Sequence, residues 1–303
     1  MLNFTVNDKR CTRCGLCQSD CVARIIQQAG DALPQIPADK EALCIQCQHC
    51  LAVCPTGAIS ILGKNPGGSI PLTSGHFPTL EQMSFLMRGR RSIRHYKDQN
   101  VDPALISQLL ATLANGPTGV NRHELTFTVI DDKAVMQSLR EKTMAALDEA
   151  QKANRIPASL AYLANVVTPY FKHGADIMFR GAPHALIVSA PPDAPCPQED
   201  VALTLAYFDL LAQSAGLGSV WWGMLKMALL AVPELKPLFG IPPDHVYYAM
   251  LFGIPTIRFA RTVQRDEAAV IRRLYCGSHE TEGKATRQED HGVPRNPFSS
   301  RGS

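Results

Sequence analysis

Residues 11–21 read CTRCGLCQSDC, and residues 44–55 read CIQCQHCLAVCP. Each stretch places four cysteines at the same intervals, with two residues between the first three and three residues before the fourth. A short, looping backbone with this spacing can aim three sulfurs at one compact metal cluster. Eight of the ten cysteines fall before residue 55, so the N-terminal segment differs in kind from the rest of the chain.

Two other uses of closely spaced cysteines fit less well. A disulfide framework needs an oxidising compartment, and the N-terminus MLNFTVNDKRC lacks the charged and then apolar pattern of a signal peptide. Zinc sites usually present two separated C-x2-C pairs, not two identical runs of four cysteines. We therefore expect an iron–sulfur segment in a reducing, cytoplasmic environment.

Residues 3–63 resemble a bacterial-type ferredoxin with two [4Fe–4S] clusters, including the ending Cys54-Pro55-Thr56-Gly57-Ala58-Ile59. Val22 departs from that family, which usually places proline after the fourth cysteine, and the change removes no ligand. The resemblance implies a crossed set of ligands. The first cluster takes Cys11, Cys14, Cys17 and Cys54, and the second takes Cys44, Cys47, Cys50 and Cys21.

The composition of the whole chain narrows the class of protein. Its 303 residues are 46% hydrophobic and 19% charged, with a formal net charge of +3, which suits about two globular domains. The near-neutral charge argues against a nucleic-acid partner, and no apolar run reaches the roughly 18 residues of a membrane span. We predict a ferredoxin-like domain at 1–63, a linker at 64–78, a larger domain at 79–276 and a disordered tail at 277–303.

Local patterns predict the elements of the larger domain. Thr79 with Gln82 forms a capping-box signature, and Asp102 before Pro103 places an N-cap ahead of a proline at the first helical position. One predicted helix begins at Thr79, and others cover 102–115, 135–153 and 199–215. Predicted strands cover 125–130, 185–190, a short stretch within 216–224, and 246–252.

Four motifs in this domain suit a ligand that carries a phosphate. Arg90-Arg91-Ser92-Ile93-Arg94 offers guanidinium forks and a hydroxyl, the donor set that binds a phosphate monoester. The loop Pro117-Thr118-Gly119-Val120-Asn121 lets backbone approach a ligand closely. The other two are GLGSVWWGM at 216–224 and GIPTIRFAR at 253–261. No G-x-G-x-x-G opens a helix after a strand, so a Rossmann nicotinamide site is not supported.

With these motifs in that order, residues 83–265 resemble the FMN-dependent nitroreductase family. The resemblance implies an α+β nitroreductase-like FMN-binding fold, with an antiparallel-dominated sheet flanked by helices in an intertwined homodimer. It also implies that the loop at 117–121 reaches a flavin across the dimer interface. The implied cofactor-binding residues are Arg90, Arg91, Ser92, Arg94, Pro117, Thr118, Gly119, Asn121, Trp222, Gly223, Met224, Arg258 and Arg261.

The stretch Arg122-His123-Glu124-Leu125 departs from the family, which often continues the loop with Gln-Pro-Trp. Because this region shapes the pocket near the flavin, the substrate of a typical member does not carry over. His123 is the candidate among the histidines for a catalytic role, and no other acid or base is identified. Cys196 and Cys276 lack partners at ligand spacing and are expected to be ordinary thiols.

Together these features predict a flavin-dependent oxidoreductase. Electrons would pass from two [4Fe–4S] clusters to FMN and then, as hydride, to a small electrophilic substrate such as a nitroaromatic compound. The electron donor would be a free ferredoxin or NAD(P)H. Two alternatives stay open, because a shared fold does not fix function. One is a reductive dehalogenase or ene-type reductase on the same fold, and the other is an electron-transfer protein that serves a larger redox partner.

Overall fold

A computed structural model of the chain describes residues 1–265 and 269–274. One compact unit comprises Met1–Val263, and the described residues beyond it form neither helix nor strand. The predicted tail at 277–303 and the thiol of Cys276 lie outside the described residues. Within the described ranges, no helix combines the length and apolar character that crossing a membrane requires.

The N-terminal segment is built on a short antiparallel ladder and two one-turn helices. Strand β1 (Thr5–Val6) pairs with β2 (Ile59–Ser60), which joins the two ends of the segment. Helix α1 (Leu16–Ser19) and helix α2 (His49–Ala52) each contain the third cysteine of one run. The buried residues between them form a small apolar core, which consists of Leu2, Ile25, Ile26, Leu51, Ile59 and Ile61 together with Cys17 and Cys50.

The larger domain contains a four-stranded sheet in which every pair is antiparallel. The strands are β3 (Thr126–Ile130), β4 (His184–Ala190), β5 (Gly218–Trp221) and β6 (Val246–Gly253), arranged in the order β3-β4-β6-β5. All seven residues of β4 are buried, because both of its faces are covered.

Among the described residues of this domain, six α-helices accompany the sheet. They are α3 (Leu80–Gly89), α4 (Pro103–Leu113), α5 (Lys133–Lys152), α6 (Ala164–His173), α7 (Pro197–Ser214) and α8 (Gly223–Ala231). Alternate residues of β4 face opposite sides: Ala185 and Ile187 pack with α5, α6 and α8, whereas Leu186 and Val188 pack with α4 and α7. The sheet therefore forms the middle of three layers.

The predicted α+β class with an antiparallel sheet is confirmed, and the start signals also agree with the structure. Thr79 and Gln82 exchange both capping-box bonds, at 2.9 and 3.2 Å, and the Asp102 carboxylate accepts from the Ala104 N–H at 2.9 Å. Helix α6 was not predicted, because Pro169 inside it argues against a helix.

Candidate functional site

The first site is a cavity that four cysteines surround in the N-terminal segment. Cys11, Cys14 and Cys17 of the first run line it together with Cys54 of the second run. The crossed ligand set therefore has a structural basis, because the β1–β2 pairing returns the end of the second run to the start of the first.

The remaining four cysteines form a second group. Burial raises the pKa of the Cys50 thiol to about 11, and the charges of Cys47, Cys44 and Cys21 act in the same direction. Ionising four neighbouring thiols is costly unless a positive centre compensates, which a metal cluster does. Cys21 belongs to the first run by sequence, yet its charge is felt at Cys50 in the second.

Backbone amides around these sulfurs suit thiolate ligands. The Ala58 N–H donates to Cys54 Sγ at 3.2 Å, and the Gln46 N–H donates to Cys44 Sγ at 3.4 Å. Burial alone would raise the pKa of Cys54, but hydrogen bonds from Ala58 and Thr56 lower it. Among the described residues, no three His, Cys, Asp or Glu side chains are grouped to hold a single metal ion. Thiols spaced around a cavity fit a [4Fe–4S] cluster, which takes four separate cysteine ligands.

The second site lies at the β5 edge of the larger domain, where three of the four motifs meet. The Ile93 N–H donates to the Ser219 carbonyl at 2.9 Å, which attaches the arginine motif to β5. The Lys97 N–H donates to the Ile254 carbonyl at 2.8 Å, which attaches the same segment to the motif after β6. Residues far apart in sequence thus line one surface.

A pocket opens between these three motifs. Its lining residues include Arg91, Ile93, Gly216, Leu217, Pro255 and Arg258. The Nε atom of Arg91 is buried and has no hydrogen-bond partner among the described residues, while another of its nitrogens donates to the Arg88 carbonyl. A half-buried guanidinium with a buried, unused donor is suited to bind an anion such as a phosphate. The predicted residues Arg94 and Arg261 are exposed and do not line this pocket.

Two buried carboxylates that the sequence analysis missed hold the motifs in place. Asp209 on α7 forms an ion pair with Arg90 at 3.1 Å and accepts a hydrogen bond from the Ser219 hydroxyl. Asp200, nine residues earlier on the same helix, accepts from the Gly119 N–H at 2.9 Å. Their signal in the sequence is two acids in a helix that is otherwise largely apolar.

Trp222, which was predicted to contact the cofactor, has its side chain buried in the core. Its side chain is 2% exposed, its indole N–H donates to the Met178 carbonyl at 3.0 Å, and its ring packs against Phe179. Because this ring belongs to the core, a cofactor can meet only the backbone of the residue. Trp221 is the exposed member of the pair, and Met224 packs against the core. The predictions for Ser92, Gly223 and the remaining cofactor contacts stay predictions.

The fourth motif lies apart from the pocket. The Asn121 side-chain amide donates to the carbonyl of Ile45 at 3.0 Å, so the loop at 117–121 contacts the cysteine-bearing segment. His123 Nε2 lies 2.9 Å from Asn121 Oδ1, and both residues line a groove between residues 42–48 of the cysteine-bearing segment and residues 120–124. Within one chain, then, three motifs form a pocket and the fourth faces the second cysteine run.

An α+β domain with a basic pocket at a sheet edge, joined to two groups of four cysteines, defines a redox protein with an iron–sulfur segment and a separate anion-binding pocket. The model of the nitroreductase family matches residues 87–254, more than half of the chain, and the chain belongs to this family. Residues 10–59 match the model of a 4Fe-4S dicluster domain. The predicted family and its N-terminal dicluster domain are thereby confirmed.

Individual proteins are also similar to the chain. A relative from Methanothermobacter thermautotrophicus, provisionally named an NADH dehydrogenase/NAD(P)H nitroreductase, is 28% identical over 176 residues, which cover 56% of this chain and 75% of the relative. The FMN-bound nitroreductase of Bacteroides fragilis is 20% identical, with a TM-score of 0.48, over 63% of this chain and 99% of that one. A nitroreductase with bound FMN from Desulfitobacterium hafniense is 20% identical, with a TM-score of 0.46, over 62% and 96%.

Proposed function

We propose that the protein uses two [4Fe–4S] clusters and FMN to reduce a small electrophilic substrate of the nitroaromatic type. The observation that carries this proposal is the meeting of three motifs around Arg91, whose buried Nε has no partner among the described residues, in the same compact unit as the cavity formed by four cysteines. When bound, FMN accepts electrons one at a time and delivers them in pairs, which matches one-electron clusters to a two-electron reduction.

The residues of the pocket have separate tasks in this proposal. Arg91 and Arg258 bind the phosphate of FMN, because both line the pocket and a guanidinium presents several donors that match phosphate oxygens. Arg90 positions the arginine motif through Asp209, a carboxylate with 6% of its side chain exposed. Gly216 lines the pocket and a Cβ there would meet no atom within 4 Å, so the backbone at this position is open to a ligand.

We further infer that the enzyme is a homodimer. The loop at 117–121 and the arginine pocket lie on different parts of one chain, so a site that uses all four motifs needs two copies. Large apolar side chains are also exposed at and before α3, where a second copy can cover them. These are Ile70, Leu72, Phe77, Leu80, Phe85 and Met87.

The altered stretch at 122–125 gives no specific support to a dehalogenase or ene-reductase function. Arg122 forms an ion pair with Glu124 at 2.5 Å, and both residues line the groove against the N-terminal segment. Neither side chain lines the arginine pocket, so we propose a single reaction class.

Anaerobic purification of the full chain tests the proposal. We expect one FMN and about eight irons with a similar amount of acid-labile sulfide per chain. We also expect a panel of nitroaromatic compounds to be reduced faster than by free reduced FMN. A protein that contains flavin but no iron or sulfide, or that turns over the panel no faster than free flavin, would contradict the proposal.

A further inference from the structure

A groove between the cysteine-bearing segment and the larger domain has the second cysteine group on one side and the loop at 117–124 on the other. Its walls include Cys44 and Gln46 on one side and Val120, Asn121, His123 and Glu124 on the other. Cys44 belongs to the second group, with Cys47, Cys50 and Cys21. The second group therefore borders a loop that the proposed function places beside a flavin.

A chain of hydrogen bonds fixes this border. The buried Asp200 carboxylate accepts from the Gly119 N–H at 2.9 Å, and the Thr118 hydroxyl accepts from the His123 N–H at 3.0 Å. Asn121 then donates through its amide nitrogen to the Ile45 carbonyl at 3.0 Å, next to Cys44. Helix α7, the loop and the second cysteine run are thus connected through short, directional contacts.

The backbone of both walls is held in an uncommon conformation. Val120, Asn121 and His123 have φ of 53°, 58° and 50°, and on the facing wall Gln46 and Gln48 have φ of 57° and 59°. Residues other than glycine rarely occupy this left-handed region, and a β-branched valine is especially disfavoured there. On the cysteine side the same conformation recurs at Arg13 and Gly15 of the first run, so there it is a feature of both cysteine loops, whereas on the facing wall it marks the loop at 120–123 as strained, as functional loops often are.

The first cysteine group has different surroundings. The cavity of Cys11, Cys14, Cys17 and Cys54 is lined entirely by residues between 11 and 59, and Cys14 is exposed. This group faces solvent and its own segment, so an external donor can approach it. The first group is therefore accessible to a donor from outside, whereas the second group borders the larger domain.

We propose that the second group holds the cluster from which electrons leave for the flavin. We further propose that Asn121 is a positioning residue, which holds the loop at 117–121 against the segment that binds this cluster. The inference rests on the proposed function. A low-potential one-electron donor reduces the first cluster, which reduces the second. The second cluster is then oxidised by one electron, and FMN gains that electron; two such transfers with two protons from water complete its reduction.

The test compares Asn121→Asp with Asn115→Asp in the anaerobic holoprotein. At position 121 the change keeps the size and the oxygen that faces His123, but it removes the donor to Ile45 and sets a carboxylate against that carbonyl. Asn115 is exposed at the end of α4, so the control makes the same change of charge away from the groove. Asn121→Gly is the second variant, because glycine adopts a positive φ without strain and preserves the fold.

Two quantities are measured beside FMN affinity. One is the rate of flavin reduction in the kinetic phase whose rate does not depend on donor concentration. The other is the hydrogen–deuterium exchange of backbone amides. We expect both Asn121 variants to slow that phase roughly ten- to a hundredfold, as misplaced redox partners do, and to raise exchange at 44–48 but not at 11–17. Rates are compared at saturating FMN, because Asn121 is also among the implied cofactor residues, and the Asn115→Asp protein should match the wild type in both quantities.

Equal rates for Asn121→Asp and Asn115→Asp would overturn the inference while leaving the proposed function intact. A slower rate explained wholly by weaker FMN binding would also overturn it, because Asn121 would then act on the cofactor alone. Absence of iron from the purified wild type would instead contradict the proposed function itself, and the inference with it.

Discussion

Arg90 and Arg91 are neighbours in sequence, yet their side chains have different partners. Arg90 is paired with the buried carboxylate of Asp209, whereas Arg91 keeps a buried nitrogen without a partner among the described residues beside the pocket. Repeated arginines in one motif can therefore serve one structural and one ligand-binding purpose. The sequence alone predicts that both bind the cofactor, because the partner of Arg90 lies more than a hundred residues away.

Replacing Arg91 with alanine should weaken FMN binding. A hydrogen bond to a charged group contributes about 1.5–3 kcal/mol, so we expect affinity to fall roughly ten- to a hundredfold. Arg88→Ala is the matched control, since Arg88 lies in the same basic stretch and does not line the pocket. Titration of the apoprotein with FMN measures both, and an equal loss in the two variants would contradict the role given to Arg91.

Asp209→Ala tests the structural partner of Arg90. The change leaves the Ser219 hydroxyl buried without its acceptor and frees a guanidinium that is 29% exposed. We expect the free energy of unfolding to fall by roughly 1–3 kcal/mol. Asp98→Ala removes an exposed pair with Lys133 and should change stability by less than about 1 kcal/mol. Chemical unfolding of both variants measures the difference, and equal stabilities would show that the Asp209 network is unimportant.

At the scale of elements, strand β5 positions the pocket because the arginine motif lies directly on it. A Cβ atom at Gly218 would approach Ile93 Cγ1 to 2.5 Å. Gly218→Ala must therefore push the motif off the strand, and overpacking of this kind costs about 1–3 kcal/mol. Thermal unfolding should show the loss of stability, and titration with FMN should show weaker binding. In Gly75→Ala, where a Cβ meets open space, stability should stay within about 0.5 kcal/mol of the wild type.

Most elements could be predicted because their signals are local. The caps at Thr79 and Asp102 and the apolar run of β4 depend on residues within a few positions of each other. Helix α6 could not be predicted from local signals, because proline is disfavoured inside a helix and Pro169 lies within this one. Tertiary packing outweighs that preference here.

The site was predictable in its residue types and less so in its assembly. The cysteine spacing led directly to two groups of four, and three motifs do converge on one pocket. The contact of Asn121 with Ile45 joins residues 76 positions apart and has no local signature. The core position of Trp222 was missed for a similar reason, because alternation along a strand does not say which face is covered.

At the scale of the whole molecule, the loop at 117–121 lies apart from the arginine pocket of the same chain. We therefore predict that two variants, one damaged in each part, restore FMN binding when they form a mixed dimer. Arg91→Ala damages the pocket, and Gly119→Leu displaces the loop, because a side chain there meets Cys196 and Pro195 at 3.1 Å. Each variant alone should bind FMN weakly. If two copies build each site, a mixed dimer has one intact site of its two, so about half of the binding returns in the isolated mixed dimer and about a quarter after random exchange of equal amounts. No recovery on mixing would place the whole site within one chain.

In the proposed function, electrons enter at the cysteine-bearing segment and reach the flavin from there. Anaerobic stopped-flow mixing with a low-potential one-electron dye tests this directly, with cluster and flavin absorbance followed together. We predict that the clusters are reduced first, at a rate proportional to dye concentration, and that the flavin follows in a phase whose rate does not depend on it. Flavin reduced first, at a rate proportional to dye concentration while the clusters stay oxidised, would contradict the account.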